Sequence, residues 1–533
     1  MRGGGNRKRV RYSISLFIKR INREIGVGLL AFAALVAGLQ WHRGAFDAEF
    51  TAQPDEAAHF VTGLMVRDYL SELGSWPPPA PMPWAVNYYL HYPKVALGHW
   101  PPGYYMMQAA WWLVFPIGRF SAMLLNTAMA AVAGALLLAM ARRIRPGWPA
   151  AIICVVMLAA PVTRWAAAET MADLPSLLCG LLVLYCLAGL LQAPAAWTLL
   201  RLGLAVFWAL MVKGTGVALL LGPVLAVAGG GVWRRLDWRW LVAPGVAGGA
   251  AVAWFFYQNS VLNRNVLAWG GVGSSIPWYP GFSLELGGAG LVALAIGGAV
   301  IAVRSRQPEA WAALGVAVSI FVTSYFVRAM QELRHWIVLL PALLLLALVF
   351  YAWLEKRSKL APLAALAAVC FFPFHIPPLL PVGFAELASK VKLPSRMLIS
   401  SAEGWPEGSW IAEIALREPR PGSTIVRGSK LFAQAGWNTK PYRLLTQTAE
   451  EMERAMDEAG VETVILHTPN VRQPVAHHVL LTALLRDNPR WRSCDQAGQL
   501  SAYCRVGAAR YPRKPVRIDL RDRMGSVIEE KPE

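Results

Sequence analysis

Long apolar stretches dominate the chain, and they constrain its fold more than any other feature. A helix needs about 20 mostly apolar residues to cross the hydrocarbon core of a bilayer. Stretches of this kind, with charges only near their ends, recur from residue 25 to residue 376. We predict about eleven membrane-spanning helices, at 25–41, 119–141, 149–163, 173–192, 196–212, 214–232, 241–257, 286–303, 309–327, 336–353 and 360–376. The predicted fold is therefore mainly α, a polytopic membrane helix bundle.

The composition agrees with this fold and excludes an ordinary cytosolic enzyme or a disordered chain. Hydrophobic residues make up 56% of the 533 residues and charged residues only 16%, whereas roughly a quarter of a soluble protein is charged. The formal net charge of +19 would by itself suggest nucleic acid or anionic lipid as a partner. Because the basic residues lie beside the predicted spans, we expect contact with membrane lipid and no nucleic acid partner.

The distribution of Lys and Arg predicts the orientation, because these residues are retained on the cytoplasmic side. The first 24 residues are strongly basic, so we place residues 1–24 in the cytoplasm. Alternate loops after them carry basic clusters that begin at Arg142, Arg234, Arg304 and Lys356, except that the loop near 193–195 is neutral, with Arg201 a little beyond it. This alternation holds only if residues 101–117 do not span, and we predict an interfacial or re-entrant helix there.

The C-terminal region is predicted to be a small α/β domain in the periplasm, residues 377–506, after a transmembrane domain of residues 25–376. Strands at 423–427, 462–467 and 499–506 are predicted to alternate with helices at 448–459 and 478–486. Cys494 and Cys504 are the only cysteines outside a predicted span, and an oxidising periplasm favours a disulfide between them. The charged, patternless tail, residues 507–533, is predicted to be disordered.

The long loop between the first two spans, residues 42–118, contains the strongest candidate for chemistry. The segment DEAAHFVTGLMVRDYL predicts an amphipathic helix on the membrane surface, with Asp55 and Glu56 in its first turn. Acids in that position stabilise the helix dipole, which is a purely structural role. An adjacent carboxylate pair at the mouth of a membrane bundle is also suited to deprotonate a hydroxyl group. The residues alone leave both interpretations open.

Other ionisable residues lie at the ends of predicted spans. Lys213 follows a span directly, where a functional group and a side chain extending to the surface are equally expected. Glu169 and Asp173 are one helical turn apart, and they could cap the helix, support an acceptor, pair with Lys213 or hold a divalent metal. The sequence contains no His, Cys and carboxylate cluster with metal-ligand spacing, so no metal and no other cofactor is predicted.

The order of these motifs resembles that of the GT-C glycosyltransferases. The run Pro54–His59 (PDEAAH) resembles their Asp-Glu motif. Further matches follow in the family's order over roughly residues 20–350, at Tyr92-Pro93, Trp100–Tyr105, Glu169 with Asp173, Lys213-Gly214, and Arg334-His335 before Pro341. The closest branch is that of the protein mannosyltransferases and the lipid A aminoarabinose transferases. These are integral membrane enzymes that take a sugar from a polyprenyl phosphate on the outer face.

The resemblance implies a hexosyl- or pentosyltransferase that moves a sugar from a polyprenyl-phosphate donor to a hydroxyl group, with inversion. The acceptor would be a glycan, a lipid or a protein at the periplasmic face of a bacterial inner membrane. Asp55 would be the general base and Glu56 would orient it. Preorganised cations would stabilise the leaving phosphate, and the matching residues are Lys213, Arg334 and His335.

Two further groups of residues follow from the resemblance. Relatives often have a lysine before the Pro-Pro pair, where this chain has Trp100, so Lys94 or His99 is expected to contact the donor phosphate instead. The residues expected to support the acceptor are Glu169, Asp173, Tyr104 and Tyr105.

A transporter or flippase of a lipid-linked substrate is the alternative. Transport requires ionisable groups or broken helices near the middle of the bilayer. Almost every charge in this chain lies at the end of a predicted span, and acids concentrate in the loop at 42–118. The sequence therefore favours the enzyme.

Overall fold

The fold was obtained as a computed structural model. It describes residues 26–98, 100–257, 279–305, 307–326, 332–359, 376–435, 442–514, 516–518 and 527–529, together with positions 362 and 365. A helical region comes first along the chain, and a small mixed sheet with its own helices follows it.

The helical region contains fourteen α-helices among its described residues. They are α1 (26–43), α2 (Glu56–Glu72), α3 (Pro81–His91), α4 (Gly103–Trp112), α5 (Arg119–Ile144), α6 (Trp148–Ala159), α7 (Pro161–Ala167), α8 (Asp173–Gln192), α9 (Ala196–Val212), α10 (Leu221–Gly229), α11 (Val242–Tyr257), α12 (Tyr279–Ser305), α13 (Pro308–Phe326) and α14 (Leu340–Glu355). A 3₁₀ turn precedes α10 at Gly214–Leu219, and another precedes α14 at Leu333–Leu339.

Within the described part of the chain, five helical segments are long and apolar enough to cross a membrane. These segments are α5, α8, Gly281–Ser305 of α12, α13, and Leu333–Glu355, which joins the 3₁₀ turn to α14. A sixth results if α6 and α7, which meet at a 61° bend, form one span. The chain is thus a multi-pass membrane protein, but the predicted eleven spans are not confirmed. The segments 196–212 and 214–229 are apolar but shorter, and most of the predicted span at 360–376 lies outside the described residues.

The first half of helix α2 is buried in protein, so it lacks the exposed polar face that the sequence pattern predicts. Its first nine residues are all buried. Gly63 packs directly on Trp112 of α4, and the ring of Phe60 lies 5.3 Å from that of Trp112. On another side, Ala57 packs on Gly408 of the C-terminal region. Small residues let both neighbours approach α2 closely, and this buries positions that the sequence pattern assigned to solvent.

The helix α4 covers most of the predicted interfacial segment 101–117. Ten residues at 1.5 Å per residue extend only about 15 Å, which is half of a bilayer core. Its first residue, Gly103, contacts the backbone of Met211 near the end of α9. This close approach holds the start of α4 beside Lys213.

The C-terminal region is built on a five-stranded sheet of order β2-β1-β5-β7-β6. The strands β2, β1 and β5 are parallel, and β7 and β6 continue the sheet antiparallel. The strands are β1 (Arg396–Ser401), β2 (Thr424–Arg427), β3 (Ala433–Ala435), β4 (Tyr442–Leu444), β5 (Thr463–His467), β6 (Trp491–Ala497) and β7 (Leu500–Arg505). The helices are α15 (Phe384–Lys390), α16 (Glu407–Arg417), α17 (Gly428–Leu431), α18 (Ala449–Glu458) and α19 (Ala476–Asp487).

A disulfide and a pair of short strands lie in the C-terminal part of this region. Cys494 and Cys504 are joined by a disulfide that links β6 to β7, with their Cα atoms 5.8 Å apart. The tail, predicted to be disordered, contains two short strands, β8 (Val516–Ile518) and β9 (Val527–Glu529), which pair antiparallel.

Polar contacts fix the sheet region to the loop at 42–118. The carboxylate of Glu49 accepts hydrogen bonds from the backbone N–H groups of Val382, Gly383 and Ala385 at the start of α15. The hydroxyl of Ser409 donates to the carbonyl of Phe50 at 2.9 Å. The loop that carries Asp55 is therefore held between the bundle and the sheet.

Candidate functional site

Asp55 directly precedes the first residue of α2, and it pairs with a cation that comes near the end of the helical region in the sequence. Its Oδ2 accepts a hydrogen bond from Nη2 of Arg334 at 3.1 Å, although the two residues are 279 positions apart. Both side chains keep some contact with solvent, with 17% of Asp55 and 21% of Arg334 exposed. Arg334 also donates from Nε to Glu332 at 2.6 Å, so it forms a bridge between two carboxylates.

A second ion pair lies between α8 and α9. Asp173 is the first residue of α8, and Lys213 follows the last residue of α9. Lys213 Nζ donates to Asp173 Oδ1 at 2.5 Å. Of the roles considered for Asp173, the structure shows the pairing with Lys213.

His59 is close enough to both ion pairs for their charges to act on its ring. Its ring stacks on Trp100 at 4.1 Å between centroids, and its Nδ1 is 2.8 Å from the hydroxyl of Tyr105. Burial lowers the pKa of His59 to about 3; the carboxylates Asp55 and Asp173 act against this shift, and the cations Lys213 and Arg334 add to it. All four charges thus act on this one imidazole. His59 is not among the predicted site residues, because the sequence placed it on an apolar face with no visible partner.

A buried pair of glutamates lies next to Asp55. Glu56 accepts hydrogen bonds from the backbone N–H groups of Thr170 at 3.0 Å and Ala52 at 3.3 Å. Glu169 accepts from Nη2 of Arg43 at 3.0 Å. Burial raises the pKa of Glu56 to about 7 and that of Glu169 to about 8, and Arg43 acts against both shifts. Arg43, which the sequence gave no reason to select, supplies the positive charge for this pair.

The remaining predicted residues lie around this centre. Tyr104 and Tyr105 are buried in the first turn of α4, and the ring of Tyr104 is 5.7 Å from that of His59. Lys94 is only 2% exposed and packs on Gly408, and burial lowers its pKa to about 7 while Asp55 acts against the shift. His335 is half-buried next to Arg334. His99 lies outside the described residues.

The arrangement provides carboxylates and cations but no cluster of metal ligands. In the part of the chain that the structure describes, no three His, Cys, Asp or Glu side chains are grouped so that they could hold a metal ion. Chemically, the site offers a partly exposed carboxylate, Asp55, paired with Arg334, and a second cation, Lys213, paired with Asp173. A carboxylate in that position can accept a proton, and the cations can neutralise a growing negative charge.

Comparison with known proteins gives the fold. No family model matches the sequence, and no curated protein matches it either. Among solved structures, ArnT from Cupriavidus metallidurans bound to undecaprenyl phosphate matches with a TM-score of 0.57 at 17% identity, covering 91% of this chain and 99% of that one. The apo state of ArnT matches with a TM-score of 0.59 at 16% identity, covering 92% of this chain and 100% of that one.

At such low identity the match shows the fold alone. The expected resemblance to the lipid A aminoarabinose transferases is thereby confirmed as a structural one. Nearly the whole length of both chains is included, so the bundle and the C-terminal sheet region are both part of the shared architecture. The protein therefore has the fold of ArnT, a GT-C glycosyltransferase.

Proposed function

We propose that the protein is a membrane glycosyltransferase that moves a sugar from a polyprenyl phosphate to a hydroxyl group of a glycan, lipid or protein. The contact that carries this proposal is the one between Asp55 and Arg334 at 3.1 Å. It joins a candidate base in the loop at 42–118 to a candidate phosphate-binding cation that comes late in the sequence of the helical region. The shared fold supports it, since the ArnT structure holds undecaprenyl phosphate.

In the proposed reaction Asp55 accepts the proton of the acceptor hydroxyl. The acceptor oxygen then attacks the anomeric carbon in line, and the bond from that carbon to the phosphate oxygen breaks with inversion. Negative charge grows on the departing polyprenyl phosphate, and Arg334 and Lys213 stabilise it. Because both cations are already paired with carboxylates, the phosphate would take over part of these interactions.

The other residues have supporting roles in this proposal. Glu56 and Glu169 hold the start of α2 through backbone N–H groups and Arg43, and thereby orient Asp55. Tyr104 and Tyr105 face His59 and form an aromatic wall beside the charges. Lys94 and His335 are proposed as further contacts of the donor phosphate. The proposed location is a bacterial inner membrane, with the N-terminus in the cytoplasm and the sheet region in the periplasm.

Replacement of Asp55 by Asn tests the proposal directly. General base catalysis contributes typically 10²–10⁴-fold, so we expect Asp55→Asn to lower the transfer rate from a polyprenyl-phosphate sugar about 1000-fold. The measurement is incorporation of labelled sugar into an acceptor fraction by membranes containing equal amounts of each variant.

The matched control is Asp47→Asn, because Asp47 is an exposed aspartate in the same loop. We expect this variant to keep the wild-type rate. Full activity of Asp55→Asn at a normal protein level would remove Asp55 from the mechanism, and an equal loss in both variants would show a general effect on the loop.

A further inference from the structure

A cleft separates α3 from the outer edge of the sheet, away from Asp55. Its volume is about 650 Å³, within the range of sites that bind small molecules. We call it the β2 cleft, because the edge strand β2 forms one wall and the segment 87–93 forms the other. A hydrogen bond between His91 Nδ1 and the carbonyl oxygen of Ser423, at 2.8 Å, fixes the two walls to each other.

Positive charge predominates in the β2 cleft. Among the described residues that line it, four are Arg or Lys and only Glu462 is acidic; the cations are Arg396, Arg427, Lys430 and Arg513. Arg427 is already paired with the buried Glu407, at 2.9 Å. Its charge is therefore largely compensated, and the excess comes from Arg396, Lys430 and Arg513, of which Arg396 is partly offset by Glu462.

The fold holds Arg396 and Arg513 beside each other despite their like charges. Both pack on Gly460: a β-carbon added there would lie 3.2 Å from Nη1 of Arg396 and 3.2 Å from Cδ of Arg513. Burial, together with the charge of Arg513, lowers the pKa of Arg396, and Glu462 acts against this shift. Two adjacent guanidinium groups at the mouth of a cavity repel each other, and a bound anion would relieve this repulsion.

The opposite wall offers groups that suit a sugar. Tyr89 and His91 are half-buried rings that line the cleft, and Asn87 beside them is exposed. Aromatic rings provide flat apolar surfaces for the C–H face of a sugar, and the side-chain amide can donate and accept hydrogen bonds to hydroxyl groups. The cleft therefore combines cations on one side with aromatic and amide groups on the other.

We propose that the β2 cleft binds a saccharide that carries a phosphate or carboxylate group. Arg396 and Arg513 contact the acidic group, and Tyr89 and His91 contact the sugar ring. This site is separate from the centre at Asp55, and its occupation does not require that the transfer reaction takes place.

The test is calorimetric titration of the full-length protein in detergent with glucuronic acid, glucose 6-phosphate and glucose. We expect both acidic sugars to bind and glucose to bind at least about 10-fold more weakly, since charge-assisted hydrogen bonds are roughly twice as strong as neutral ones. Arg513→Gln and Arg396→Gln should each raise the Kd for the acidic sugars about 10-fold. Higher ionic strength should weaken binding in the wild type.

Two controls and a second test variant make the outcome decisive. Arg486→Gln removes an exposed arginine of the same region outside the cleft, and Arg334→Gln removes a cation of the Asp55 centre; both should leave the Kd unchanged. Arg513 is exposed, so its variant tests the site even if Arg396→Gln does not fold. Equal binding of glucose, an unchanged Kd in Arg513→Gln, or a loss of binding in Arg334→Gln would each overturn the proposal.

The same assay distinguishes a lipid headgroup from a free or polymeric saccharide as the occupant of the cleft. Vesicles that contain a glucuronosyl diacylglycerol are added to the protein with bound glucuronic acid. Displacement by these vesicles, but not by vesicles without the glycolipid, identifies a lipid headgroup as the occupant. Retention of glucuronic acid in their presence identifies a free or polymeric saccharide.

Discussion

Two pairs of acidic residues lie near the start of α2 and differ in their surroundings. The outer pair is Asp55 with Asp173, and the inner pair is Glu56 with Glu169. Asp55 and Asp173 face Arg334 and Lys213, and each of these four side chains except Asp173 keeps more than a tenth of its surface exposed. Glu56 and Glu169 are almost fully buried and share the charge of Arg43. Asp55, Arg334 and Lys213 thus keep contact with solvent, whereas the inner pair contacts almost only protein.

We propose that the outer acids and their cations serve binding and transfer, and that the inner acids stabilise the fold. An ion pair at a partly exposed site contributes little to stability, and its partners can be redistributed when a ligand arrives. A buried ion pair is costly to break, because the remaining charge has no water to replace its partner. We therefore expect changes in the outer pairs to affect binding and transfer, and changes in the inner pair to affect folding.

The largest expected effect on stability comes from Arg43→Met. It leaves the buried Glu169 carboxyl, which is largely protonated at pH 7.5, without its hydrogen-bond donor, and an unsatisfied buried polar group costs about 1–3 kcal/mol. Thermal unfolding of the detergent-solubilised protein at pH 7.5 measures this loss. The matched control is Arg67→Met: Arg67 is 24% exposed, and its partner Asp68 keeps a second arginine, Arg420.

Arg67→Met should lower the unfolding free energy by at most about 1 kcal/mol. Similar losses in the two variants would contradict the expected difference between a buried contact and a partly exposed one.

A smaller effect is expected from pH. Because burial raises the pKa of Glu56 to about 7 and of Glu169 to about 8, the folded protein holds protons near neutral pH that the unfolded chain has released. The free energy of unfolding should therefore fall as pH rises from 5 to 8. Melting temperatures over this range measure the slope.

Glu56→Gln should flatten this pH dependence, whereas Glu386→Gln, at an exposed glutamate of α15, should leave it unchanged. A melting temperature that rises with pH in the wild type would show that both carboxylates are ionised throughout.

The residues around Asp55 could be predicted from the sequence because their motifs occur in a recognisable order. Asp55, Lys213 and Arg334 stand at helix ends in the sequence that the resemblance predicts, and the structure brings them around His59. The contact between Arg43 and the inner pair of glutamates could not be predicted from the sequence. Arg43 meets Glu169 across 126 positions, and no local pattern distinguishes this arginine from others at the end of an apolar stretch.

The fold shows a similar division. Long apolar helices and the predicted strands of the sheet were recognisable from hydrophobic patterns. The ends of the predicted strands differ by one residue at most, whereas α12 begins seven residues before the predicted span. The strand β6 was missed because its residues 492–494 are all exposed, so that it lacks the usual alternation. The burial of α2 was missed because Ala57 and Gly63 give no sign of the close packing that they permit.

Binding of undecaprenyl phosphate to the full-length protein in detergent tests the central claim most directly. Arg334→Gln and Lys213→Gln should each raise the Kd about 10-fold or more, because each removes a cation from the phosphate. Arg201→Gln, at an exposed arginine on α9 away from Lys213, should keep the wild-type Kd. Wild-type affinity in both Arg334→Gln and Lys213→Gln would contradict a phosphate site at this centre.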